Sequence, residues 1–267
     1  MIPDQVGTLA MTPTGPGFER HDGLTVAAIA VIASLAVIVN HEALGHGSVC
    51  LGLDGQVTLL SSSLFRCSVP SAAIDIGGPL MNLILGVIAL IASRTIAPGR
   101  PGWRLGLTLV AAFAGFWEGG YLVQAMAMQK GDLYSAGAAF IGEPSWPWRI
   151  AGSVGGVTLY LATLVVTLRG LATLGDGRRV GRIAWLSATT AAVVTASVYR
   201  GGWGENLLNT FLEIGLASLP LLVMPVGASL PPGRVIGSRP QVWIIALVVM
   251  VVFAATQGQG IGDPGLA

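Results

Sequence analysis

The sequence predicts an all-α polytopic membrane protein, and three observations carry that prediction. Of its 267 residues, 53% are hydrophobic and only 10% charged, against roughly a quarter charged in an average soluble domain. Mean hydropathy is +0.73. Long apolar stretches recur along the chain, and 38 glycines suit the close helix packing that lipid rewards. A net charge of +1 says nothing about nucleic acid, and no basic run suggests it, so no nucleic-acid partner is expected.

Residues 1–23 are polar, with Pro3, Pro13 and Pro16, and read as a short disordered tail. A cleavable signal peptide would carry its apolar core nearer the start, so the first hydrophobic stretch is expected to stay in the membrane. A span needs about 20 apolar residues. Candidates are 24–50, 71–95, 104–129, 148–174, 181–199, 206–229 and 240–257. Serines and threonines interrupt the fifth, and the sixth carries Asn206, Asn209 and Glu213, so the expected count is six to seven. Residues 24–258 then make one transmembrane domain and 259–267 a C-terminal tail, in an integral multi-pass protein of a bacterial-type inner or plasma membrane. Cys50 and Cys67 flank the first connection. Two cysteines are too few for a disulfide scaffold or a thiolate zinc cluster. They are expected unpaired, with pairing the alternative if the loop meets an oxidising compartment.

The end of the first span carries His41-Glu42-Ala43-Leu44-Gly45-His46. Ionised groups inside a membrane cost roughly 2.5 kcal/mol or more each, so such residues point to function. Only one other histidine, His21, exists, and it lies at the opposite end of the span. A pair of helical histidines with an adjacent glutamate reads as a metal site with Glu42 as general base. The spacing, however, is i and i+5, which separates the rings by about 140° on a regular helix. A π-type widened turn across 41–46 closes that angle, and Gly45 tolerates the deformation.

Zinc chemistry needs a third ligand and an open position. With His21 at the wrong end, that ligand is expected to be a carboxylate. Asp132 leads, Glu118 is the alternative and Asp75 the third choice, whereas Asp54 in Leu53-Asp54-Gly55 suits a turn. Antiparallel threading brings the end of span one, the start of span two with Asp75, and Lys130-Gly131-Asp132 after span three to one membrane face. The metal site is thus expected between the first three helices. Asn206, Asn209 and Glu213, on one stripe of span six, reach the same face, either lining water entry or bonding between helices.

Ten of the fourteen Lys and Arg residues fall on the other face: Arg20, Arg94, Arg100, Arg104, Arg169, Arg178, Arg179, Arg182, Arg234 and Arg239. Arg66, Lys130, Arg149 and Arg200 share the histidine face. The positive-inside rule then puts the N-terminus in the cytoplasm and the histidines on the outer side.

Some thirty residues on, Gly77-Gly78-Pro79-Leu80-Met81-Asn82 opens the second span. This segment resembles the Gly-Pro-x-x-Asn signature of the site-2-protease family of intramembrane zinc metalloproteases, whose preceding helix carries His-Glu-x-x-His. The resemblance covers roughly residues 35–90, with Val57 to Val69 as the loop or hairpin between. It implies a metalloprotease-like domain with Zn2+ held by His41 and His46, and Glu42 as catalytic base. Asn82 would then act at the site by orienting the substrate backbone or steadying an oxyanion, with the Gly-Pro pair loosening the helix start. This chain has one residue more between Glu42 and His46 than the family. That longer form looks like the His-Glu-Leu-Leu-Gly-His of dipeptidyl peptidase III, a soluble zinc peptidase. The family's late Leu-Asp-Gly has no counterpart in the second half, and the family places its site toward the cytoplasm.

The expected activity is hydrolysis of a membrane-embedded or membrane-apposed peptide substrate by a zinc-activated water. Two other classes use the same ligands: a metal transporter or sensor, and a catalytically inactive adaptor that keeps the protease-like fold.

Overall fold

The computed structural model describes residues 20–262 apart from 175, 202 and 224–234. Residues 1–19 of the predicted tail, the later part of the 206–229 stretch, Arg234 and residues 263–267 lie outside the described residues.

Helix α1 (Gly23–Val39) begins where Asp22 caps it, the carboxylate accepting from the Thr25 backbone N–H at 2.8 Å. It passes without a break through a π-helical segment, Asn40–Gly47, into α2 (Ser48–Gly52). Strands β1 (Val57–Leu60) and β2 (Phe65–Cys67) follow, then α3 (Ala72–Thr95), α4 (Pro101–Met128) and α5 (Asp132–Ile141). Next come α6 (Trp146–Ala172), α7 (Gly177–Ala196), α8 (Trp203–Thr210), a π-helical turn at Phe211–Leu216 and α9 (Pro220–Val223). The last elements are α10 (Pro240–Phe253), a π-helical end at Ala254–Gly258, and β3 (Ile261–Gly262).

Among the described residues, five helices are long and apolar enough to cross a membrane: Gly23–Gly52, Ala72–Thr95, Pro101–Met128, Trp146–Ala172 and Pro240–Gly258. The expected six to seven is thus met only in part among the described residues, and the 206–229 stretch runs beyond them. The fifth stretch is helix α7, but Arg178, Arg179 and Arg182 inside it make it too polar. The sixth is broken into α8, a π turn and α9.

Two of the long helices form the centre. More than half of the first span and of α4 is buried, against 17% of α6 and 22% of α10, whose Ile150, Val154, Leu161, Ile244 and Val248 stand exposed. Helix α1 packs on α4, α7 and α10, and α4 packs on α3 and α6. Leu35, Ile38, Phe113, Phe116 and Trp117 fill the core between them. Where such helices cross lipid, which is as apolar as these side chains, van der Waals packing rather than exclusion from water holds them together.

The fold is mostly helical, as expected, with three short strands added. They form one three-stranded sheet in the order β2-β1-β3, β1 pairing antiparallel with both neighbours. Backbone at a span end must find partners within the protein, and here the C-terminal β3 supplies them through Leu59↔Gly262 and Leu60↔Ile261. Cys50 and Cys67 are joined by a disulfide, correcting the expectation of two unpaired residues. The bond ties the end of α2 to the end of β2, because the hairpin folds back on the helix that precedes it. At the other end of the bundle, His21 accepts from the Ile236 N–H at 3.0 Å and donates to the Leu174 carbonyl.

Candidate metal centre

The widened turn lies where the histidine spacing demands it. Residues Asn40–Gly47 are π-helical, and the extra residue per turn rotates His46 onto the face of His41. The two rings meet edge to face with centroids 4.9 Å apart, and their Nε2 atoms are 3.2 Å apart.

Each ring is fixed from behind. His41 Nδ1 lies 2.9 Å from Glu118 Oε1, and His46 Nδ1 lies 2.6 Å from the Ile74 carbonyl oxygen. Both partners are acceptors, and at His41 the Glu118 oxygen is nearer than the Asn82 Nδ2 at 3.2 Å, which favours the proton on each Nδ1 and an inward lone pair on each Nε2. His41 stacks on Trp117 and His46 on Phe65, which limits rotation of each ring. Two inward lone pairs at this separation repel unless a cation lies between them.

Asp132 completes the set. Its Oδ2 is 3.6 Å from His41 Nε2 and 3.4 Å from His46 Nε2. The three donor atoms all fall within 4.8 Å of one another and could hold a metal ion. Donors about 2.0–2.1 Å from a tetrahedral zinc ion are separated by about 3.3–3.4 Å, so the observed edges fit such an ion. Burial pushes the Asp132 carboxyl up. Where the imidazoles take up a second proton, their hydrogen bonds and charge outweigh burial and hold the Asp132 carboxyl well below the usual aspartate range. Helix α4 ends at Gln129 with φ 55°, and Gly131 has φ +98°. That reversal aims α5 back at the histidines. The Tyr121 hydroxyl then accepts from the Asp132 N–H at 3.0 Å.

The glycine pair of α3 has a steric role. A Cβ on Gly78 would lie 2.6 Å from His41 Nε2 and closer still to His46 Nε2, so it would fill the space between the rings. Gly45 likewise faces Gly78, where a Cβ would come within 2.5 Å of the Gly78 Cα. The expected loosening of the helix start is not seen, since α3 runs unbroken through Pro79. The close approach of α3 to the π turn is what these glycines allow.

Two expectations are corrected here. Glu118, the alternative third ligand, meets His41 at Nδ1, on the far side from the inward Nε2, and serves as the acceptor that orients the ring. Asn82, expected to touch substrate, is fully buried behind His41. Its Oδ1 accepts from Asn40 Nδ2 at 3.0 Å and its Nδ2 donates to Glu118 Oε1 at 2.9 Å. Both ends of the amide are engaged, so it positions Glu118 and does not line the cavity. Glu42 does line it, together with Asp75, Tyr121 and Glu213, around a volume of about 90 Å³.

Of the polar stripe in span six, only Glu213 reaches the cavity. Asn206 accepts from Ser61 and Ser63 and donates to the Ala196 carbonyl, pinning the hairpin. Asp54 occupies a left-handed turn, as its Leu-Asp-Gly setting suggested. Sequence reasoning missed Trp117 and Phe65, which act through ring packing, and Tyr121, which acts through its hydroxyl; none carries a local signal. The doubled glycine was the one available sign of the Gly78 contact.

No known protein family, no curated protein and no solved structure matches this chain.

Proposed function

We propose that the protein is a membrane-embedded zinc hydrolase that cleaves peptide bonds of membrane-spanning or membrane-apposed substrates. The observation carrying this reading is the triangle of His41 Nε2, His46 Nε2 and Asp132 Oδ2 with Glu42 on the wall of the same cavity. Two neutral imidazoles and one carboxylate are a donor set suited to zinc with a position left open. Zinc held there supplies Lewis acidity, polarising a carbonyl and bringing the pKa of water toward neutrality. The chain itself contributes the rest. Glu42 takes a proton from the attacking water and returns it to the leaving amine. Glu118 and Asn82 keep His41 in the required tautomer, and Tyr121 and Gly131 hold Asp132 against the pair.

We place the cavity on the outer, oxidising side. Among the described residues, Arg94, Arg100, Arg104 and Arg169 sit at the far ends of α3, α4 and α6, and the disulfide lies beside the histidines. Disulfides persist outside the cytosol. A maleimide that cannot cross membranes, applied to intact cells after reduction, should label Cys50 and Cys67; labelling only after lysis would put the site inside.

The activity is tested by comparing membranes that contain wild-type protein with membranes that contain Glu42→Gln. New peptide termini within or beside membrane segments should be present with the wild type and absent with the variant, while zinc content stays equal. Identical sets of termini with retained zinc would remove the hydrolase reading and leave a metal-binding sensor, transporter or adaptor.

A further inference from the structure

At the opposite end of the bundle lies a cavity of about 330 Å³ where the end of α3, the start of α4 and the end of α6 meet. Arg94, Arg104 and Arg169 line it, with Ser93, Thr108 and Thr167 between them. Among the described residues none of the three guanidinium groups has a carboxylate within ion-pair distance. Arg94 and Arg169 occupy last turns, where a cation complements the helix dipole. Arg104 does not. It sits in the first turn of α4, where the dipole favours an anion.

A second observation is independent of the charges. Thr167 is 1% exposed, and its buried hydroxyl has no hydrogen-bond partner among the described residues. A buried hydroxyl left without a partner is destabilising, and this one borders the arginine cavity. Leu90, Ala111 and Val166 add an apolar wall beside Gly170 and Thr173, and α6 is the least buried of the long helices. The site thus has a polar cradle with an apolar wall beside lipid.

We infer that this cavity binds the phosphodiester headgroup of an anionic phospholipid. The three guanidinium groups, Thr108 and the Thr167 hydroxyl would surround the phosphate oxygens, and an acyl chain would lie along Leu90 and Val166. Arginine suits the role because its planar fork pairs with two phosphate oxygens at once. Zwitterionic lipid shares the phosphate but brings a cation into a site that already holds three. The metal centre, at the other membrane face, plays no part in this binding.

Purified full-length protein in detergent is titrated with phosphatidylglycerol, with phosphatidylcholine and with inorganic phosphate, and the bound lipid is counted by native mass spectrometry. Phosphatidylglycerol should bind at least tenfold more tightly than phosphatidylcholine, and inorganic phosphate should not displace it at matched concentration. Each arginine-to-glutamine change should weaken it about fivefold, as expected near a membrane surface. Thr167→Val, which keeps the side-chain shape, should weaken it several-fold. Zinc content serves as the folding control in every variant. Equal binding of the two lipids, full displacement by inorganic phosphate, or unchanged binding in folded Arg104→Gln and Thr167→Val would each overturn the assignment.

Discussion

His21 and the pair His41–His46 sit at opposite ends of the same long helix, and the comparison shows what separates a structural histidine from a candidate ligand. All three are buried. Both nitrogens of His21 are satisfied by backbone, one by the Leu174 carbonyl and one by the Ile236 N–H. In the pair, only Nδ1 is satisfied from outside, and the Nε2 atoms face each other and Asp132. Burial is therefore no guide to function here. The guide is which nitrogen the surrounding protein leaves without a partner.

The contrast breaks most sharply with His46→Ala or His41→Ala. Either should reduce zinc from about one ion per chain to none by metal analysis, since a closed set of three protein donors becomes two. His21→Ala should leave zinc unchanged. It leaves the Ile236 N–H buried without its acceptor, so it should cost about 1–3 kcal/mol of stability, read as a lower unfolding midpoint.

Gly78→Ala should approach the ligand deletions in effect, because the new methyl group occupies the space between the two Nε2 atoms. Zinc should be lost while the helical circular dichroism spectrum is retained. A bound ion of normal affinity in this variant would show that the cradle lies elsewhere.

Smaller effects sharpen the role of the supporting shell. Glu118→Gln should weaken zinc by about 10- to 100-fold, the usual range for an outer partner of a ligating histidine, measured by competition with a chelator. Tyr121→Phe should fall at or below the low end of that range, since it removes one hydrogen bond to the Asp132 backbone and leaves the carboxylate in place.

Much of this site was legible in the residues alone. The i, i+5 spacing on a helix forces either separated rings or a widened turn, and Asn40–Gly47 takes the second course. Asp132 followed from threading, because a carboxylate after span three must return to the face that ends span one. Glu118 and Asn82 read from the sequence as near the site, but their contacts differ from those the sequence suggests. Sequence depth in a helix does not say which side of an imidazole a carboxylate meets; the rotation of α4 against α1 decides that. The strands and the disulfide were harder still, since β3 pairs with β1 across about two hundred residues and no local pattern reports such a partner. Five helices qualify as spans among the described residues, because α7 extends past the 181–199 stretch to take in Arg178 and Arg179 and the next stretch breaks at a π turn.

Zinc K-edge X-ray absorption on the purified, zinc-loaded chain tests the central geometry most directly. The spectrum should show two imidazoles and a carboxylate oxygen at about 2.0–2.1 Å, with one imidazole lost in His46→Ala. A shell without imidazole scattering, or one unchanged by that substitution, would contradict the account.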